Sequence, residues 1–171
     1  EKGNDLLSRI ADTTIQLDQF LKDMLQFSRA QRFELEVAVV ESKDLIQNVC
    51  ERLQDIIKTT DARITQAEKL PKLEVNFTWA VQALYNLLTN AIKYTVPGEP
   101  PEVEISGYQQ VKPGGTVDVG LVIRDRGSGV PEGWEEYIFK LFHRAAGSEY
   151  EGTGAGLAIV KQIAERHGGN A

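Results

Sequence analysis

The stretch Leu84-Tyr-Asn-Leu-Leu-Thr-Asn-Ala-Ile-Lys-Tyr-Thr95 carries the reading of this chain. It lies inside a Pro- and Gly-free run, Phe77 to Tyr94, which predicts a strong helix. At roughly 100° per residue, Leu84, Leu87, Leu88, Ala91 and Ile92 share one face. Asn86, Asn90 and Lys93 gather on the other. Asn is a poor helix former, because its amide competes for backbone groups. Two of them one turn apart, followed by Lys, fit a helix with one face on a core and the other on a ligand. Asn offers a neutral oxygen, a hard donor suited to Mg²⁺, and Lys a point charge suited to phosphate. Taken alone, the same spacing also describes a plain solvated face.

Three glycine-bearing or aromatic segments follow. Ile123-Arg-Asp-Arg-Gly-Ser-Gly-Val130 ends a strand with an acid and Gly-x-Gly. A buried Asp carboxylate only accepts hydrogen bonds, so Asp125 would take the exocyclic amine of adenine and repel the carbonyl of guanine. Glycines let the backbone come close to a ligand. Tyr137-Ile-Phe-Lys-Leu-Phe-His-Arg144 places Phe139 and Phe142 three apart, where they would pack on the base of the loop that follows. Gly152-Thr-Gly-Ala-Gly-Leu157 opens a helix, and amides at a helix N-terminus attract phosphate. By itself Gly-x-Gly-x-Gly is often a flexible turn, and it is neither a Walker loop nor a dinucleotide fingerprint.

Outward from these segments, the chain divides at about residue 33. Residues 3 to 32 contain no Pro, and no Gly after Gly3. Ile10, Leu17 and Met24 form one seven-residue series, and Leu6, Thr13, Phe20 and Phe27 the offset one. Leu7, Leu21 and Leu25 widen the stripe, which predicts a helix in a bundle rather than a thin two-stranded coil. From Glu34 the pattern becomes mixed. Strands are predicted at Glu34–Val40, Ala62–Thr65, Leu73–Val75, Val103–Gln109 and Thr116–Arg124. Ser42 is placed to cap a helix carrying Leu45, Ile46, Val49, Leu53, Ile56 and Ile57. Cys50 reads there as a small buried hydrophobe. Trp134–Phe142 reads as a short helix, and Leu157–Arg166 as a longer one. The expected class is α+β.

The 171 residues include 19 Lys+Arg, 25 Asp+Glu and a single cysteine, for a net charge of −6. The acidic balance argues against a nucleic-acid module, which usually shows a basic face. One cysteine excludes an internal disulfide framework and cysteine zinc clusters. No run of apolar residues is long enough to span a membrane, and the N-terminus lacks a signal-peptide layout.

The ordered set of motifs resembles the catalytic, ATP-binding domain of sensor histidine kinases. Asn86-Leu-Leu-Thr-Asn-Ala-Ile-Lys-Tyr94 is similar to the N box, and Asp125-x-Gly127-x-Gly129 to the first glycine box. Phe139 and Phe142 resemble the F box, and Gly152-x-Gly154-x-Gly156-Leu-Ala-Ile-Val-Lys161 the second glycine box. The helix ending Met24-Leu-Gln-Phe-Ser-Arg29 resembles the second helix of the dimerisation and phosphotransfer hairpin. The stretches around Glu151-Gly-Thr-Gly and Glu165-Arg-His-Gly-Gly169 are similar to phytochrome-type kinases.

The resemblance implies a Bergerat-type two-layer α/β sandwich preceded by one long bundle-forming helix. Residues 1–33 would be the partial hairpin helix and 34–171 the catalytic domain. ATP and Mg²⁺ would be the cofactors. Asn90 would ligate Mg²⁺, and Asn86 would stand where related ATPases carry a glutamate base. Lys93 would approach the phosphates, Tyr94 would line the pocket, and Asp125 would hold the adenine amine. Gly127 and Gly129 would allow the turn beneath the base. Residues Arg144 to Gly154 would form a lid, with Arg144 at the phosphates. Gly152, Gly154 and Gly156 would be hinge and amide cradle, with Thr153 and Leu157 beside them.

The partners implied are a response-regulator receiver domain and a second copy joined through the hairpin, in the cytoplasm, with no nucleic acid and no membrane span in this chain. Neither His143 nor His167 resembles a phosphoacceptor, so the acceptor helix is expected to lie outside these residues, as are the family's final strands. The alternatives are a Bergerat-fold ATPase, an anti-sigma-type serine kinase, or a degenerate dimerising scaffold.

Overall fold

The computed structural model describes residues 2–32, 34, 36–143 and 152–171. Helix α1 (Lys2–Ala30) comes first, followed by β1 (Ala38–Glu41), α2 (Ser42–Arg52), α3 (Gln54–Thr60), β2 (Arg63–Gln66) and β3 (Lys72–Val75). Then come α4 (Phe77–Lys93), β4 (Glu102–Val111), β5 (Val117–Asp125), a 3₁₀ turn at Tyr137–Phe139, and α5 (Gly156–Arg166). The long hairpin β4–β5 pairs antiparallel from Val103 opposite Asp125 to Val111 opposite Val117. β2 joins the other side of β4 in parallel, so this sheet runs β2-β4-β5. A separate two-stranded piece pairs β1 with β3 antiparallel.

One layer of helices covers the sheet. Leu45, Ile46, Val49 and Leu53 of the α2 segment meet Val81, Leu84, Leu88 and Ala91 of α4, with Val103 and Ile105 of β4 beneath. Burying each of these aliphatic side chains contributes about 1.5–3 kcal/mol. Leu84, Leu88 and Ala91 lie on the predicted core face of α4 and Ile92 is buried with them, whereas Leu87, expected on the same face, is only half-buried and stands outside this core. A second, smaller core lies on the other side of α4. There Ala30 of α1 meets Ala155, Ile159 and Ile163 at α5, flanked by Phe27, Trp79, Ala83 and Leu141. Helix α4 is thus apolar toward the sheet and mixed toward α5.

Four expectations need correction. Ser42 does not cap α2: its hydroxyl donates to the Pro71 carbonyl at 2.5 Å, tying the start of α2 to the β3 approach. The helix expected through Ile57 breaks at Leu53, whose ψ of 5° interrupts the turn before α3 resumes. Among the described residues of the strand expected from Glu34, pairing with β3 begins at Ala38. Only Tyr137–Phe139 of the expected Trp134–Phe142 helix is helical, as a 3₁₀ turn. Lys140 is already extended and Phe142 sits at φ +63°.

Candidate functional site

The polar face of α4 is a row of Asn86, Asn90 and Lys93, continuing the line of Trp79 and Ala83 at helical spacing. Asn76 caps the helix start by accepting the Trp79 N–H at 3.2 Å. The row faces the second glycine segment, not open water. The Asn86 amide donates to the Gly156 carbonyl at 3.2 Å and accepts from Gln82 Nε2 at 3.0 Å. A Cβ on Gly156 would lie 3.9 Å from both Asn86 Cβ and Asn90 Nδ2. Gly152, at φ +133°, approaches Lys93 so closely that a Cβ there would sit 2.8 Å from Nζ. Asn90 is half-buried, and no side-chain hydrogen bond engages it among the described residues.

At the other end of α4, Lys93 Nζ donates to the Tyr94 hydroxyl at 3.3 Å and lies 4.7 Å from the centre of that ring. The Tyr94 carbonyl accepts the Ser128 N–H at 2.9 Å, and Thr95 bridges Gly127. These bonds draw the Asp125-x-Gly-x-Gly129 loop against the helix end. Gly127 is required there, because a Cβ would fall 2.6 Å from the Tyr94 carbonyl oxygen and 2.7 Å from Asp125 Oδ1. Its close approach is therefore to the chain's own backbone. Asp125 is exposed, not buried as expected. Its Oδ1 accepts the Gly127 N–H at 2.8 Å, which fixes the orientation of the carboxylate. Gly129 lies at φ +73° on the outside of the same loop.

The aromatic pair divides. Phe139 is half-buried, with the Lys161 ammonium 6.0 Å from its ring centre. The Phe142 amide donates to the Gly154 carbonyl at 3.1 Å, while its ring stacks on Phe20 of α1 at 4.6 Å. Thr153 donates its hydroxyl to Asp23 of α1 and accepts the Ala155 N–H at 3.3 Å. Leu157 is half-buried in the first turn of α5. Arg144, with the rest of the lid expected up to Glu151, lies outside the described residues.

The structure therefore brings Asn86, Asn90, Lys93, Gly152 and Gly156 together, and sets Tyr94, Asp125 and Gly127 beside them. Asp23 reaches this site without any sequence signal except its place beside the apolar stripe, whereas Phe20 belongs to the offset series of that stripe. A concavity of 340 Å³ bordered by Ser28, Arg29, Arg32 and Trp79 lies apart from these residues. Among the described residues no cluster of His, Cys, Asp or Glu could hold a metal, and no helix is long and apolar enough to cross a membrane.

A fold with α4 between a sheet and a glycine-rich helix start, and asparagines facing that start, defines a nucleotide-handling ATPase-like domain. The family model for histidine kinase-, DNA gyrase B- and HSP90-like ATPases matches residues 76–171, and the chain belongs to that family. It is 32% identical to the methanogenesis regulatory histidine kinase FilI of Methanothrix harundinacea, over 95% of this chain and 18% of that protein. It is 31% identical to cyanobacterial phytochrome B of Nostoc sp., over 98% of this chain and 22% of that protein. The chain thus spans about a fifth of these relatives' length. Among solved structures, the mycobacterial sensor histidine kinase MprB superposes with a TM-score of 0.61 at 29% identity, covering 77% of this chain and 80% of that one. Its relatives and structural neighbours are histidine kinases, which are transferases.

Proposed function

We propose that residues 34–171 are the ATP-binding catalytic domain of a protein-histidine kinase and that residues 1–33 are the second helix of its dimerisation hairpin. One observation carries this reading. The amide of Asn86, where an ATPase of this fold would need a base, is engaged by Gln82 and by the Gly156 carbonyl. An amide cannot take a proton from water. The site can hold and orient a nucleoside triphosphate but has no group there to activate hydrolysis. That suits a kinase, in which catalysis is positioning plus charge neutralisation of the γ-phosphoryl group.

The roles follow from placement. Asp125 would accept the adenine amine through its carboxylate, with Tyr94 lining the same side. Lys93 and the amides around Gly152 to Gly156 would receive phosphate oxygens. Asn90 fits a magnesium ion: it is half-buried, neutral, and its oxygen is unclaimed among the described residues. When bound, the ion would neutralise charge on the phosphates. The acceptor would be a histidine of the hairpin, the phosphoryl group would pass on to a response-regulator receiver domain, and the whole would work as a homodimer in the cytoplasm, where ATP is supplied.

Calorimetric titration with Mg-ATP and Mg-GTP tests this. ATP should bind at least roughly tenfold more tightly than GTP, and Asp125→Asn should lose about 10- to 100-fold in ATP affinity, the worth of one charge-assisted hydrogen bond. Equal binding of the two nucleotides, untouched by the substitution, would overturn the assignment of Asp125. No binding of either would overturn the nucleotide site itself.

A further inference from the structure

We infer that α1 is a clasp on the second glycine segment, in which the Asp23 carboxylate occupies the place of a nucleotide phosphate and so competes with it. The inference rests on the nucleotide reading above. Phe20, Asp23, Phe27 and Ala30 lie at i, i+3, i+7 and i+10, on one helical face. That face makes a continuous series of contacts. Phe20 stacks on Phe142, with ring centres 4.6 Å apart and planes at 26°. Asp23 accepts the Thr153 hydroxyl, and Phe27 and Ala30 pack with Ala155, Ile159 and Ile163. The neighbouring face, with Leu17, Leu21, Met24 and Leu25, is exposed. The docking face is therefore one edge of the apolar stripe, Phe20 and Phe27 of its offset series, and the rest of the stripe is left exposed.

The position of Asp23 gives the contact its consequence. Thr153 stands just before α5, and its oxygen already accepts the Ala155 N–H at 3.3 Å. The carboxylate is thus held at a helix start that favours negative charge. One residue before Thr153, Gly152 closes on the Lys93 ammonium. A polyphosphate needs the same field and the same hydroxyl, and two anions at one such place repel. Nucleotide binding and α1 docking then oppose each other reciprocally.

Mg-ATP titration of the full chain, alongside Asp23→Asn, Phe20→Ala and Asp18→Asn, tests the clasp. Asp18 pairs with Lys22 on an exposed part of the same helix and controls for charge alone. Asp23→Asn and Phe20→Ala should each tighten ATP binding by roughly 5- to 30-fold, and Asp18→Asn should leave it within about twofold. Both tighter-binding variants should also melt at lower temperature without nucleotide. A residue that merely supports the fold would lose stability and affinity together. If the wild type binds ATP and Asp23→Asn binds it equally or more weakly, the clasp is overturned while the nucleotide reading stands. If no variant binds ATP, the nucleotide reading falls and takes the clasp with it.

Discussion

At the scale of single residues, close approach decides more than chemistry. Gly127 touches the end of α4 through space that no side chain can enter, and that contact holds Asp125 at its angle. Gly127→Ala should cost about 1–3 kcal/mol in urea unfolding and should weaken ATP binding at the same time. Unchanged stability would show that the loop can shift freely. Cys50 offers a second check. It is half-buried beside the α2–α4 core, and burial pushes its thiol up from the ordinary range. Less thiolate is then present near neutral pH, so alkylation by iodoacetamide should be slower than that of a small free thiol. The rate should keep rising with pH beyond the point where the small thiol levels off.

Between elements, the unexpected link is His167. Its Nε2 accepts the Asn76 N–H at 2.9 Å, so the neutral ring carries its proton on Nδ1, which donates to the Ile163 carbonyl at 2.7 Å. One imidazole therefore ties the end of α5 to the cap of α4, the two helices that form the site. His167→Ala should cost about 1–2 kcal/mol, and Asn76→Ala about 1 kcal/mol through the lost cap. Because both changes act at one junction, the double variant should lose less than the sum, measured by urea denaturation. The sequence showed only that His167 does not resemble a phosphoacceptor, and in the structure it is half-buried in this junction. It could not name its partner, because Asn76 lies 91 positions away.

For the whole molecule, α1 is the element with surface left over. Leu6, Leu7, Ile10, Leu17, Leu21, Met24 and Leu25 are all exposed, although one neighbouring face is docked on α5. A contiguous apolar stripe of this length predicts association. Sedimentation should show an average mass that rises with concentration, and Leu17→Glu with Leu21→Glu should hold the chain at monomer mass. A monomer at all concentrations in the wild type would remove the stripe as an interface.

The helices α4 and α5, the β4–β5 hairpin and the two-faced character of α4 were legible in the sequence because they arise from local periodicity and turn chemistry. So was the grouping of Asn86, Asn90 and Lys93, since helical spacing alone puts them on one face. The break at Leu53, the late start of β1 and the loss of helix after Phe139 were not. Each depends on what the backbone meets elsewhere: a buried Leu53, a β3 strand to pair with, a Gly154 carbonyl for the Phe142 amide. The exposure of Asp125 belongs with these, because burial is set by the layers around a residue. Only the tertiary structure could bring Asp23 to Thr153, 130 positions apart. Local spacing fixes which side chains share a face, whereas packing between elements fixes what that face meets.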